Sequence, residues 1–202
     1  MRASAIRSSR VNRSGSPKQP MQLAGGNPWA TTFLDSFRYL DQLGRMSKRG
    51  VRVHMHNTLA SSDYGLLDDN TLMPRPNYLA ALLWHKFMGT TVLDPGLSTA
   101  SNLHLYSHCL RGQPGGVALL AINTDPSASQ SLDLAMAAER YTLTAPSLDA
   151  TSMELNGSEL KLGEDDAMPV LTGISAGSGH LTFAPATITF LAIPNANNAS
   201  CR

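Results

Sequence analysis

Residues 103–122 read LHLYSHCLRGQPGGVALLAI, and this stretch decides the class of fold. Two apolar runs typical of β-strands, at 103–109 and 117–122, flank the turn-forming sequence RGQPGG. Further short runs of the same kind occur at residues 90–93, 131–134, 140–143, 159–162 and 187–193. Short strands separated by turns are typical of an antiparallel β-sandwich. The sequence therefore predicts an all-β sandwich over residues 91–202.

The sequence before this region has the pattern of an α/β protein. A helix is predicted at residues 29–46, because apolar residues recur every three or four positions, at Trp29, Phe33, Phe37, Leu40 and Leu43. A second apolar helix is predicted at 77–88, where prolines precede it and a glycine follows. Between the helices we predict a β-strand at 51–55 and a loop at 61–63.

The first 20 residues cannot build a hydrophobic core. They contain five cations and no acidic residue, and their apolar residues are too sparse for the hydrophobic segment of a secretory signal. An Arg- and Ser-rich start of this kind also occurs in organellar transit peptides. We expect residues 1–24 to be a disordered tail, or an artefact of where the reading frame begins.

Charge and hydropathy argue against two classes of partner. The 16 basic and 15 acidic residues give a net charge of +1, which does not favour nucleic acid or an anionic membrane surface. No run approaches the ~18 consecutive apolar residues that a transmembrane helix needs. We therefore expect no nucleic-acid partner and no transmembrane segment.

His54 and His56 have the spacing of a metal site, because alternate residues of a strand share one face. No third ligand lies at a diagnostic spacing, so hydrogen-bonded residues lining a cleft are the simpler interpretation. The motifs of a P-loop, a dinucleotide-binding fold and a serine nucleophile elbow are missing. We expect neither a metal nor a cofactor, and we predict that the small-residue run at 175–179 is a loop.

Paired carboxylates, which most glycosidases need, are not evident. All four glutamates lie in the last third of the chain. In the α/β part, Asp35 and Asp41 are expected on a solvated helix face, and Asp68 and Asp69 in an exposed turn. None of these aspartates forms an obvious acid/base pair.

Residues 25–202 nevertheless resemble the glycoside hydrolases of family 79, which include heparanases and β-glucuronidases. In the α/β part the matching motifs are GG at 25–26, YLDQLG at 39–44, DYGLL at 63–67, PNY at 76–78 and LLW at 82–84. In the β part they are YSHC at 106–109 and LLAIN at 119–123. The run of motifs in order makes the resemblance specific.

The resemblance implies a (β/α)8 barrel, with its active site at the C-terminal ends of the strands, and a β-sandwich beside it. Residues 25–90 would be the last elements of the barrel, and residues 91–202 the sandwich. The family mechanism is retaining, with one glutamate as acid/base and another as nucleophile. Both precede the matching region, and no glutamate occurs before Glu139. We therefore expect no catalytic residue in this chain and no activity without the missing N-terminal barrel portion, its expected partner.

Two residues of the substrate site are implied by the resemblance. Tyr64 matches a tyrosine that contacts the carboxylate of the sugar, and Gly25 matches a glycine whose backbone N–H reaches the same carboxylate. Ser62 stands where the family has a further glycine, which alters the expected geometry of this subsite. The implied ligand is a glycan that contains glucuronic acid.

Cys109 and Cys201 are the two cysteines of the chain, and their positions alone are compatible with buried thiols or with a disulfide. The resemblance implies a disulfide that ties the C-terminal residues to the sandwich, which requires a Cα separation below about 7 Å. Three N-x-S/T sequons, at Asn12, Asn156 and Asn198, are compatible with export. Full-length members of the family are secreted, extracellular or lysosomal, whereas the compartment of this chain is not indicated.

Two other interpretations remain open. One is a non-catalytic carbohydrate-binding or interaction module formed by the β-sandwich. The other is one piece of a split or mis-started gene whose full product is an active hydrolase. In an incomplete barrel, the helices would lack partners for their apolar faces and the strand at 51–55 would have an unpaired edge. We therefore expect residues 29–88 to be unstable alone.

Overall fold

The computed structural model describes residues 27, 29–60, 62, 64–97 and 100–202. The helices are α1 (Phe33–Lys48) and α2 (Pro76–Phe87). The strands are β1 (Met88–Leu93), β2 (Leu103–Leu110), β3 (Val117–Asn123), β4 (Gln130–Leu134), β5 (Ala138–Thr144), β6 (Glu154–Leu155), β7 (Ser158–Glu159), β8 (Ile174–Ala176), β9 (Gly179–Phe183) and β10 (Thr187–Ile193). Two 3₁₀ turns span Glu164–Asp166 and Ala199–Cys201.

The larger of two antiparallel sheets has the order β1-β2-β3-β10-β5-β6-β7, with β8 also paired to β5. The central strand β10 pairs with β3 over its whole length, from Thr187 opposite Asn123 to Ile193 opposite Val117. All seven residues of β10 are buried, because both faces of the strand are covered. A strand buried on both faces is mostly apolar, and five of the seven residues in TITFLAI are apolar, with Thr187 and Thr189 as the buried polar ones.

Different elements cover the two faces of the large sheet. On one face α1 and α2 place Leu40 and Leu83 in one apolar cluster with Phe190. On the other face the small sheet, β4 paired with β9, contributes Phe183 to a second cluster that contains Leu191. Adjacent residues of β10 therefore belong to different cores, and the layers run from helices to large sheet to small sheet.

The expectation that the helices lack apolar partners is wrong. Leu40 and Leu83 are 0% exposed, because both helices pack on a face of the large sheet. The first helix begins at Phe33, four residues later than the apolar spacing predicts, since residues 29–32 form hydrogen-bonded turns.

The strand predicted at 51–55 is not formed. The backbone N–H of Val51 bonds to the carbonyl of Met46 at 3.1 Å, and no backbone hydrogen bond joins residues 52–55 to any described strand. Val53 is 72% exposed and Met55 is 85% exposed. A strand exists only beside a neighbour that satisfies its backbone groups, and the described part of the chain contains none for this run.

Two predictions in the β part also need correction. The strand predicted at 159–162 is reduced to the two residues of β7, and Leu160 enters the core instead. The loop predicted at 175–179 contains the end of β8 and the first residue of β9, so only residues 177–178 lie between strands.

The sequence does not predict β6, β8 or β9. The division of the chain at residues 24/25 and 90/91 stays a prediction, and residues 1–24 lie outside the described part.

Cys109 and Cys201 form a disulfide with a Cα separation of 5.3 Å, as the resemblance predicts. The second 3₁₀ turn is thereby fixed to β2. Backbone hydrogen bonds join Gly115 to Cys201 and to Asn198, at 2.8 and 2.9 Å. Among the described helices, neither is long and apolar enough to cross a bilayer.

Candidate functional site

Tyr64 lies in a loop whose backbone is held by two side chains. The guanidinium of Arg75 donates from Nη1 to the carbonyls of Ser62 and Gly65, at 3.1 and 3.2 Å. The ring of His56 donates from Nε2 to the carbonyl of Tyr64 at 3.3 Å, since a carbonyl can only accept. Three carbonyls within four residues are thus held by donors outside the loop, which fixes the backbone that carries the half-buried Tyr64.

Arg75 is itself held by a charged partner. Its side chain is 13% exposed, and Nη2 donates to the carboxylate of Asp68 at 3.1 Å. Asp68 also accepts from the backbone N–H and the hydroxyl of Thr71, both at 2.9 Å. These hydrogen bonds, that of the Thr71 backbone first, lower the pKa of Asp68 to about 2. The carboxylate therefore stays charged near neutral pH and keeps Arg75 against the loop.

The sequence analysis did not identify Arg75. The side chain reaches back 10 and 13 residues along the chain, to Gly65 and Ser62, so its role depends on the path of the loop. The only signal in the sequence is a cation between two prolines, immediately before α2.

Gly25 lies outside the described residues, so its position beside Tyr64 stays a prediction. Ser62 has a buried hydroxyl oxygen without a hydrogen-bond partner among the described residues. Its backbone carbonyl, by contrast, is bonded to Arg75.

His54 and His56 lie beside the ring of Tyr39, although not on a strand. Their ring centroids are 6.3 and 5.4 Å from that of Tyr39. Burial lowers the pKa of both histidines, so both are neutral near pH 7. Neutral imidazole can bind a metal, but no group of three His, Cys, Asp or Glu in the described part of the chain is placed to do so.

The expectation of a solvated face is wrong for Asp35. The residue is 2% exposed and accepts hydrogen bonds from Arg38 and from the side-chain amide of Asn77. Asn77 lies in the first turn of α2, so the carboxylate of Asp35 joins the two helices. A buried carboxylate with a charged partner is a structural group here rather than a free acid or base.

Asp41 is also engaged, with three donors at 2.6 Å each: the hydroxyl of Tyr106, Nδ1 of His104 and Nε of Arg45. Burial alone would raise the pKa of Asp41, but these hydrogen bonds outweigh it and lower the pKa. The same environment, burial first, raises the pKa of Tyr106. These contacts join α1 to β2, and the carboxylate of Asp41 is fully occupied by them.

The glutamates lie in the sheet region, on β5, β6 and β7 and in the first 3₁₀ turn: Glu139, Glu154, Glu159 and Glu164. Glu139 accepts a hydrogen bond of 2.6 Å from the hydroxyl of Tyr141. Among the described residues, no hydrogen bond or ion pair links a glutamate to the Tyr64 loop.

A cleft of about 760 Å³ opens between α1, α2 and β1, and residues 50–52 and His54 form part of its wall. His108 lies in this wall, 4% exposed, with Nδ1 donating to the carbonyl of Gly89 at 2.6 Å. Its Nε2 lies 3.2 Å from Oγ of Ser47, and its ring meets that of Trp84 edge-on. Burial lowers the pKa of His108, so the ring that joins these elements is neutral.

Comparison with known proteins gives several relatives, although no protein-family model matches the chain. Heparanase-like protein 1 of Arabidopsis thaliana is 30% identical over 217 residues, covering 88% of this chain and 40% of that protein. Baicalin-beta-D-glucuronidase of Scutellaria baicalensis is 31% identical over 179 residues, covering 85% of this chain and 34% of that protein. The chain thus spans about a third to two fifths of the length of these relatives.

Solved structures with a similar fold have much lower sequence identity. The GH51 alpha-L-arabinofuranosidase of Thermotoga petrophila matches with a TM-score of 0.61 and 14% identity. The match covers 81% of this chain and 39% of that one. At such identity the similarity concerns the fold alone.

Proposed function

The chain belongs to the heparanase-like glycoside hydrolases of family 79, and we propose that it is the C-terminal portion of a retaining β-glucuronidase or endo-β-glucuronidase. In this proposal α1, residues 51–56 and α2 are the last elements of a (β/α)8 barrel, and residues 91–202 are its β-sandwich. The substrate is a glycan that contains glucuronic acid.

The observation that supports this proposal most is the unpaired run at 51–55. Its residues have the composition of a strand, yet their backbone has no strand partner in the described part of the chain. Val53 and Met55 are exposed, as the side chains of a barrel strand would be after its neighbours are removed. The N-terminal portion of the barrel would supply these neighbours, and the Tyr64 loop follows directly.

In the complete site, Tyr64 and Gly25 would bind the carboxylate of the sugar, through a hydroxyl and a backbone N–H. The acid/base and the nucleophile would both come from the N-terminal portion. Without a nucleophile no covalent glycosyl-enzyme forms, and without the acid the leaving group is not protonated. The chain alone is therefore inactive in this proposal.

The test is hydrolysis of an aryl β-glucuronide by the purified chain, alone and after co-expression with the N-terminal barrel portion of Arabidopsis Heparanase-like protein 1. We expect background rates alone and turnover in the complemented sample. Tyr64→Phe should lower the complemented rate, whereas Tyr78→Phe, the matched control, should not. Turnover that copurifies with the chain alone and disappears in Tyr64→Phe would contradict the proposal.

A non-catalytic carbohydrate-binding module is the second candidate. It is favoured by the completeness of the β part, which buries an apolar cluster between its two sheets and is closed by a disulfide. Three results together would support this candidate over the first. The chain alone would bind a glycan, Tyr64→Phe would leave that affinity unchanged, and the complemented sample would show no turnover.

A further inference from the structure

We propose that Asn198 is an N-glycan acceptor when this chain is exported, and that Asn156 stays unmodified in the folded chain. The sequons N-G-S at 156–158 and N-A-S at 198–200 meet the sequence requirement equally well. The surroundings of the two side-chain amides are what distinguishes them. This inference does not depend on the proposed glycosidase function.

The amide of Asn156 is fully used by the fold. Its Oδ1 accepts from the backbone N–H of Thr142 at 2.9 Å. Its Nδ2 donates to the carbonyls of Arg140 and Thr172, at 3.2 and 3.0 Å. A sugar on Nδ2 would remove one of these N–H groups and would have to lie between β5 and residue 172. Asn156 is half-buried and both N–H groups of its Nδ2 are in use, so a chain with a glycan there cannot make all three hydrogen bonds and should be depleted from the disulfide-bonded fraction.

The backbone of Asn156 adds a second constraint. With φ of 51° at Asn156 and 82° at Gly157, these two residues form the tight turn between β6 and β7. Positive φ at both positions is the geometry of a two-residue hairpin turn, which holds the sequon in a compact shape.

Asn198 has the opposite arrangement. Its Oδ1 accepts from the backbone N–H of Ser200 at 2.9 Å, and its Nδ2 makes no hydrogen bond to any described residue. Ala199 and Ser200 are exposed. The backbone of Asn198 is anchored separately, through its N–H to the carbonyl of Gly115. A glycan on Nδ2 therefore removes no contact that holds the tail.

The chemistry needs a lipid-linked oligosaccharide as co-reactant. Nδ2 of Asn198 loses one proton to a base of the transferase and forms a bond to C1 of the first sugar. The bond between C1 and the diphosphate oxygen of the lipid carrier breaks, and the diphosphate leaves with the electron pair. The donor is found in exporting compartments, as are the oxidising conditions that the disulfide next to this sequon requires.

The disulfide also sets the order of events. Cys201 directly follows the sequon, so formation of the Cys109–Cys201 bond draws residues 198–200 onto β2. The transferase needs an accessible sequon, which places transfer before the tail docks. Cys109→Ser keeps the tail free for longer and should raise the occupancy of Asn198.

The experiment is expression of the chain behind a cleavable signal peptide in yeast, followed by enzymatic release of N-glycans in ¹⁸O-water and peptide mass spectrometry. This readout reports each asparagine separately, so Asn12 does not interfere. We expect label at Asn198 and none at Asn156 in the disulfide-bonded fraction. Ser200→Ala should abolish the label at Asn198, and Ser158→Ala, the matched control, should leave it unchanged.

Two results would overturn the inference. One is the absence of label at Asn198 in the wild-type chain. The other is label at Asn156 in the fraction that contains the disulfide. Lower occupancy of Asn198 in Cys109→Ser than in the wild type would contradict the proposed order of disulfide formation and transfer.

Discussion

The hydroxyl of Tyr106 donates a hydrogen bond of 2.6 Å to the carboxylate of Asp41, and this contact joins the large sheet to α1. We predict that Tyr106→Phe lowers the free energy of unfolding by about 1.5–3 kcal/mol, the usual contribution of a hydrogen bond to a charged group. Urea denaturation measures this change. Tyr78→Phe is the control, because the hydroxyl of Tyr78 makes no hydrogen bond to a described residue; equal losses in both variants would contradict the role of Asp41.

Gly44 lies in α1 directly over the ring of Tyr106. In most helix interiors Gly→Ala stabilises by about 1 kcal/mol. Here a Cβ would overlap the Cγ and Cδ atoms of Tyr106, whose ring is fixed by Asp41. We therefore predict that Gly44→Ala destabilises the chain by about 1–3 kcal/mol, the usual cost of overpacking. Thermal denaturation measures whether Gly44→Ala lowers or raises the melting temperature. A higher melting temperature would show that the ring of Tyr106 can move away from the new Cβ.

Arg75 holds the Tyr64 loop through hydrogen bonds to the carbonyls of Ser62 and Gly65 and to the carboxylate of Asp68. Arg75→Ala should therefore speed amide hydrogen exchange at Gly65 and Leu66 by about tenfold, while exchange in β3 and β10 stays unchanged. Arg75→Lys should give an intermediate rate, because one ammonium cannot reproduce the forked geometry. Arg52→Ala, at an exposed cation, is the control. Uniform acceleration across the chain would indicate global destabilisation instead.

The stability of the chain should fall as the pH drops below about 6.5. Burial lowers the pKa of His108 in the folded state below its ordinary value of 6.5. Above that value both states are neutral, and the contribution to stability is complete. Below it the unfolded chain binds a proton that the folded chain does not, so the free energy of unfolding decreases. His54 and His56, whose pKa values burial also lowers, act in the same direction.

The variant His108→Asn isolates the contribution of His108, which alone among these three histidines is buried. The asparagine amide can still donate to the carbonyl of Gly89, but it does not titrate. Urea denaturation at pH 7.5 and pH 5.5 should show a smaller loss of stability in His108→Asn than in the wild type. The exposed His85→Asn is the control. An unchanged pH dependence in His108→Asn would assign the effect to other groups.

The central strands could be predicted from sequence, whereas the marginal ones could not. The sequence of β10 is mostly apolar because both faces of the strand are buried, and the hairpin of β2 and β3 has a clear turn. By contrast, β8 has three residues, two of them exposed, and so lacks an apolar pattern. At 51–55 the error is the opposite one, since a strand is predicted and none is formed. Amino-acid composition shows that a segment is suited to a strand, but it does not show whether a neighbouring strand is present.

The candidate site was predictable only in part, for a similar reason. Tyr64 follows from the resemblance, since the motif DYGLL is local. The contacts of Arg75 and the burial of Asp35 depend on how distant segments meet, and no local pattern contains that information. An aspartate on a helix is assigned to the solvated face by default, and α2 reverses this for Asp35 by placing Asn77 against it.

The covalent link between Cys109 and Cys201 spans 92 positions and makes a closed ring of everything between β2 and the C-terminal turn. Residues 161–173 belong to this ring, are mostly exposed and lie outside the sheets. A single proteolytic cut there would leave β10 in place, hydrogen-bonded to β3 and β5 and still tethered to β2. The nicked protein should migrate as one band without reductant and as two bands with it. Cleavage of an exposed loop would then go undetected in a separation by size unless the sample is reduced.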